Sequence, residues 1–165
     1  MKKIKPIQWI AGLLLAAGLA YGGWYALRYY IAPSLALTEI QPETLAQQPV
    51  DMRQWKGKRI FVNYFATWCR PCVREMPMMA EVMQSMDTSK YVFVCISQEP
   101  IEKIAAFQER MQLPFRFVHS RIPFKENGVY SFPQSFIFDE NGTLLSSKVG
   151  SWKSEEELRN ALTEN

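Results

Sequence analysis

The chain opens on one long apolar run and then changes rhythm. Residues Ile7 to Leu27 are 21 positions with a single clearly polar side chain, Gln8. A helix of that length, at about 1.5 Å per residue, matches the hydrocarbon thickness of a bilayer. Trp9 near one end, and Trp24, Tyr25, Tyr29 and Tyr30 near the other, suit the two membrane interfaces. From residue 32 to about 58 no period is sustained, and Pro33, Pro42 and Pro49 interrupt the chain. Short irregular elements are expected there: a small strand around 36–40 and a helical turn around 43–47.

Beyond that connector the pattern alternates. Ile60-Phe61-Val62-Asn63-Tyr64-Phe65-Ala66 is a short apolar run rich in aromatic and β-branched residues, which predicts a buried strand over 59–65. Val73, Met76, Met79, Ala80 and Met83 then recur at helical spacing, predicting a helix from Arg70 to Gln84. Further strands are predicted over 91–96, 115–118, 134–138 and 143–149, the last two joined by a hairpin turn at Asp139-Glu140-Asn141-Gly142. A second helix is predicted over 101–112. A third, over 154–162, opens on Ser154 with Glu157 three residues later, a capping-box pattern. The order implies an α/β fold: a mixed sheet with helices covering both faces.

Between the first strand and the first helix lies Trp68-Cys69-Arg70-Pro71-Cys72. Cys69 there meets the free N–H groups and positive dipole end of a helix, which favour a thiolate. Arg70 adds a positive charge. Cys72 lies one turn further in, close enough to close a disulfide with Cys69, so one sulfur can attack and the other resolve a mixed disulfide. Zinc is the rival use of Cys-x-x-Cys, but it needs four ligands, and only Cys95 and His119 remain, neither in a second pair. Cys95 reads as a small buried hydrophobe, and the methionines around the helix that begins at Arg70 as core filling.

Charge changes the picture little. The net charge of +3 arises because Lys2, Lys3, Lys5 and Arg28 have no acidic counterparts in the first 32 residues; the rest is close to neutral. No basic face argues for nucleic acid. Three lysines before the apolar run predict a cytoplasmic N-terminus, residues 1–6, followed by a transmembrane anchor, 7–27. Cleavage after Ala20 is the competing reading, but the apolar stretch continues through Trp24 and Tyr25. A connector, 28–49, and a folded domain, 50–165, complete the organisation. The domain is expected outside the cytoplasmic membrane, in a periplasm or on the outer face, where disulfides persist.

Residues Asn63 to Pro77, with Trp-Cys-x-Pro-Cys followed by Arg74, Glu75 and Pro77, resemble the active-site segment of the membrane-anchored, thioredoxin-like TlpA/ResA family. Phe132-Pro133 before a strand and Gly150 before an acidic helix extend the resemblance, which runs from about Val50 to the C-terminus. It implies a thioredoxin-like fold and a redox-active Cys69–Cys72 disulfide with no cofactor and no metal. Cys69 is the implied attacking thiolate and Cys72 the resolving thiol. Trp68 and Pro71 shape the site, and Pro133 is implied to be cis and to face the cysteines, with Phe132 offering backbone groups to a bound peptide. Phe132 is larger than the residue the family usually carries there. Asn63 stands where many thioredoxins carry a buried acid, so an assisting acid must come from elsewhere: Glu99 first, then Glu75, which is expected to face solvent or a salt bridge.

The resemblance implies reduction of protein disulfides outside the cytoplasm, apocytochrome c Cys-x-x-Cys-His segments among them, with electrons from a membrane partner protein. Two other readings stay open. One is an oxidant of folding proteins. The other is a copper carrier using Cys69, Cys72 and His119, against which stands the two-residue spacing of the cysteines.

Overall fold

The computed structural model describes residues 6–30 and 35–163. These fall into two compact units that divide after Ile31. The first holds one helix, α1 (Pro6–Tyr30), 25 residues long and so longer at both ends than the apolar run predicts. Its described side chains, residues 12–25, are exposed. Among the described residues no helix is long and apolar enough to cross a membrane. Lys2, Lys3 and Lys5, and the side chains of Trp9, Arg28, Tyr29 and Tyr30, lie outside the described residues.

The second unit is built on a six-stranded mixed sheet of order β1-β4-β3-β2-β5-β6. The strands are β1 (Pro42–Glu43), β2 (Arg59–Tyr64), β3 (Tyr91–Ser97), β4 (Arg116–Ser120), β5 (Gln134–Phe138) and β6 (Leu144–Val149). Strands β2, β3 and β4 run parallel, while β5 and β6 pair antiparallel on one side and β1 on the other. The helices α2 (Arg70–Ser85), α3 (Ile101–Met111) and α4 (Glu155–Thr163) fall within two residues of their predicted bounds.

Helices do not cover both faces. Phe61 of β2 and Phe65 just beyond its end, with Phe93 of β3, pack in a single core with Met76 and Met79 of α2, Ile104 and Phe107 of α3, and Leu158 and Leu162 of α4. The connections β2–α2–β3 and β3–α3–β4 step across the sheet in one direction. Right-handed crossovers therefore leave both helices on the same side. The opposite face, with Ile60, Val62 and Tyr64 of β2, is covered by Leu35, Leu37, Ile40 and Met52 before the sheet and by Phe124 and Val129 after β4.

That second core corrects the connector. Residues 35–49 belong to the folded body, not to a linker ending at 49. A 3-10 turn occupies Leu37–Glu39 where a small strand is expected, and the strand comes later, at Pro42–Glu43, where a helical turn is expected. Pro42 pairs with Ser120 and Glu43 with His119. His119 Nδ1 also lies 2.8 Å from Glu43 Oε1, both side chains being largely buried. The edge strand is thus held by its side chains as well as its backbone.

Candidate active site

The end of β2 delivers the chain into the cysteine motif. Residues Ala66–Trp68 turn, and Cys69 becomes the N-cap of α2 with an extended backbone, φ −76° and ψ 98°. Pro71, in the first turn, has no N–H to leave unpaired there. Cys69 and Cys72 are joined by a disulfide with S–S 2.01 Å, and the Cys72 N–H points at Cys69 Sγ at 3.3 Å. A helix N-terminus aimed at Cys69 is the field that lowers a thiol pKa once the bond is reduced. Cys69 keeps 5% exposure whereas Cys72 is fully buried. The helix then runs on through Pro77 to Ser85.

Around the disulfide, the residues implied by the resemblance take different places. Trp68 is 69% exposed and meets the edge of Phe132 with ring centroids 6.1 Å apart. Phe132 in turn packs edge-on against Phe124, at 5.5 Å. Two aromatic side chains therefore stand beside the cysteines, one open to solvent and one braced from the core. The Phe132–Pro133 bond is cis, as the resemblance implies. The Pro133 carbonyl accepts the Gly150 N–H at 2.8 Å, which ties the strand following the site to the turn before α4.

The two acids lie in different surroundings, and Glu75 is not where it was expected. Glu99 accepts from Thr67 N–H at 2.5 Å and Thr67 Oγ1 at 2.9 Å, and the Ser97 hydroxyl lies 3.3 Å away. It is a clamp on the turn that leads into Trp68-Cys69. Glu99→Ala should strip these donors of their acceptor and cost about 1–3 kcal/mol by chemical denaturation. The pH dependence of disulfide exchange should stay as it is. A displaced pH midpoint in Glu99→Ala would restore Glu99 as a proton-transfer group.

Glu75 does not face solvent. It lies one helical turn after Cys72 on α2 and is only 5% exposed. Its Oε2 accepts the Trp152 N–H at 2.8 Å and its Oε1 accepts Asn63 Nδ2 at 3.2 Å. Burial pushes the Glu75 carboxyl up to about 7, although the Trp152 N–H, Asn63 and the positive charge of Lys148 pull the other way. The local rule that helix acids are exposed fails because this one shares a face of α2 with Cys72, Met76 and Met79. A cleft of about 290 Å³, lined by Pro71, Arg74, Glu75, Met78, Ser151 and Trp152 among others, opens beside this carboxyl.

Two members of this cradle carry no readable signal in the sequence. Trp152 is buried and reaches Ser135 Oγ through Nε1 at 3.1 Å. Ser135 also receives Asn63 Nδ2 at 3.1 Å. Asn63 did carry a signal: it lies two positions from both Phe61 and Phe65 and so shares their helix-facing side of β2. Beside it on β3 is Cys95, a free buried thiol pushed well up by burial and by the Glu75 charge. His119 does not join the cysteines; it is engaged with Glu43. Among the described residues no three His, Cys, Asp or Glu side chains gather to hold a metal.

The chain resembles proteins whose names carry the same chemistry. It is 29% identical over 160 residues to the thioredoxin-like protein YneN of Bacillus subtilis, covering 90% of this chain and 94% of that protein. It is 28% identical over 150 residues to the thiol-disulfide oxidoreductase ResA of Geobacillus thermodenitrificans, covering 87% of this chain and 86% of the relative. The fold is shared with StoA of Bacillus subtilis, at TM-score 0.61, 18% identity and coverage of 80% and 98%. The AhpC/TSA family model matches residues 30–147, the greater part of the sequence, and the chain, with its thioredoxin fold and paired cysteines, belongs to the AhpC/TSA family.

Proposed function

We propose that this thiol-disulfide oxidoreductase works as a reductant of protein disulfides outside the cytoplasm. The observation that carries the reading is the pairing of two groups on one helix. The Cys69–Cys72 pair, joined as a disulfide, stands at the N-terminus of α2, and one turn after Cys72 comes a buried carboxyl whose proton affinity lies near neutrality. Cys69 thiolate attacks one sulfur of the substrate disulfide. That S–S bond breaks, and the released substrate sulfur takes a proton from water. Glu75 then accepts the proton of the Cys72 thiol. The Cys72 thiolate attacks Cys69 Sγ, the mixed disulfide breaks, and the second substrate sulfur leaves as a thiolate that takes a proton from water. The substrate gains two electrons and two protons, and the enzyme ends with the Cys69–Cys72 disulfide. A general base works best when its pKa lies near the operating pH, as that of Glu75 does.

Trp68 and Phe132 form the contact surface for the partner, with Pro71 and Pro133 shaping the approach to the sulfurs. Apocytochrome c Cys-x-x-Cys-His segments fit as substrates, and a membrane protein returns the enzyme to its dithiol. The apolar sequence from 7 to 27 and the lysines before it support an uncleaved anchor in the cytoplasmic membrane. The domain then stands in the periplasm or on the outer face. Cell fractionation should find the intact chain in the membrane fraction, with its C-terminal domain digested only by protease added from outside. A soluble mature protein beginning at Tyr21 would remove the anchor. The function itself is tested by reduction of a model protein disulfide: the wild type should turn over with a dithiol supply, and Cys69→Ser should not.

A further inference from the structure

Asn63 is wholly buried, and only half of its amide is used. Nδ2 donates to Glu75 Oε1 at 3.2 Å and to Ser135 Oγ at 3.1 Å. Oδ1 has no partner among the described residues. Buried acceptors are rarely left so, because an unpaired one pays its full desolvation penalty. The arrangement suits an ionised Glu75. A carboxylate only accepts, and Asn63 Nδ2 and the Trp152 N–H supply its donors. A protonated Glu75 has an O–H to give, and an amide nitrogen cannot receive it.

Turning the amide by 180° gives that O–H an acceptor and moves the Asn63 NH2 group to the side where Oδ1 stood without a partner. Oδ1 then occupies the place of Nδ2, at the same two distances, and can accept from the Glu75 O–H and from the Ser135 hydroxyl. Ser135 permits the change because a hydroxyl accepts in one arrangement and donates in the other. In both it can still accept Trp152 Nε1. We propose that Asn63 is a positioning residue whose amide turns over with each proton that Glu75 gains or loses, so that carboxylate and carboxylic acid are held in one place. The inference rests on the reading of Glu75 as the group that exchanges a proton with Cys72. The proton enters from the Cys72 thiol and leaves through the cleft; no electron moves in the turn.

Other charged and ionisable groups stand around this carboxyl. Lys148 of β6 is paired with Glu157 of α4 at 2.7 Å, and that pairing holds the Glu157 carboxyl below its usual range. The Cys95 thiol of β3 stays neutral. Arg74 and Lys153 stand at the rim of the cleft. Asn63 and Ser135 are thus the neighbours that change with Glu75, and the amide does so without adding a second charge to the cradle.

The test is an NMR titration of the full chain in micelles from pH 5 to 9. It follows the Glu75 carboxyl carbon and contacts between the Asn63 amide protons and Ser135. Those contacts should be present at pH 9 and lost at pH 5, with the midpoint of the carboxyl titration. In Glu75→Gln, which carries a permanent donor, they should be absent at every pH. An amide that keeps its contacts while the carboxyl titrates overturns the proposal. Asn63→Leu should raise the carboxyl midpoint by about one unit, a tenfold change in the ionised fraction; an unmoved midpoint also overturns it. If the amide follows the carboxyl while Glu75→Gln leaves the pH profile of disulfide exchange unchanged, the turn stands and the catalytic reading of Glu75 falls instead.

Discussion

Cys72→Ser is expected to leave the protein covalently joined to its substrates through Cys69. The cause is the asymmetry of the two sulfurs. Cys69 caps α2, receives the Cys72 N–H and keeps a little exposure, whereas Cys72 is sealed behind it. In the proposed mechanism Cys69 meets the incoming disulfide and Cys72 releases what Cys69 has caught. Cys69→Ser should therefore trap nothing and lower turnover by roughly 10³-fold or more, the scale on which losing a nucleophile is felt. Non-reducing electrophoresis after acid quenching reads both variants. Mixed disulfides that accumulate in Cys69→Ser and not in Cys72→Ser would reverse the assignment.

Glu75→Gln is the second variant with a large effect, and it acts in two ways. Resolution of the mixed disulfide should slow by roughly 10²-fold, the lower end of what a general base contributes. The inflection near pH 7 in the pH–rate profile should also vanish. Stability should move in the opposite sense. The folded Glu75 carboxyl lies near 7, above its ordinary value of 4.5, so between those pH values the native state binds the extra proton. Stability is then full below about pH 4.5 and falls as pH rises through 7, by about 3 kcal/mol for a shift of this size. Glu75→Gln should remove that slope and be the more stable protein at pH 8 in urea denaturation. Parallel stability–pH curves for the two proteins would contradict the burial of this charge.

Much of the domain was legible because its strands are short apolar runs and its helices keep a 3.6-residue period. Each predicted helix of the domain lies within two residues of its observed bounds, and β5 was read without error. The connector was not legible. Leu35, Leu37, Ile40 and Met52 bury one face of the sheet from 3-10 turns and extended chain, conformations that leave no period to read. Helices on both faces were expected from element order alone, although the direction in which β2, β3 and β4 succeed one another places α2 and α3 on one side. In the site, Cys69, Cys72 and the cis Phe132–Pro133 bond followed from the motif and its resemblance. The resemblance puts Glu99 ahead of Glu75, which is expected to face solvent or a salt bridge, yet the three-residue spacing of Glu75 from Cys72 already puts both on one side of α2. Trp152 reaches Glu75 across 77 residues of sequence, a meeting that only the folded topology arranges.

The central claim is that the Cys69–Cys72 pair gives electrons to substrate disulfides. Its most direct test is the reduction potential of that pair, measured by equilibration of the intact protein with thiol buffers of known poise. A reductant should lie near thioredoxin, at about −270 mV, whereas a value near −120 mV, that of a strong disulfide oxidant, would contradict the claim.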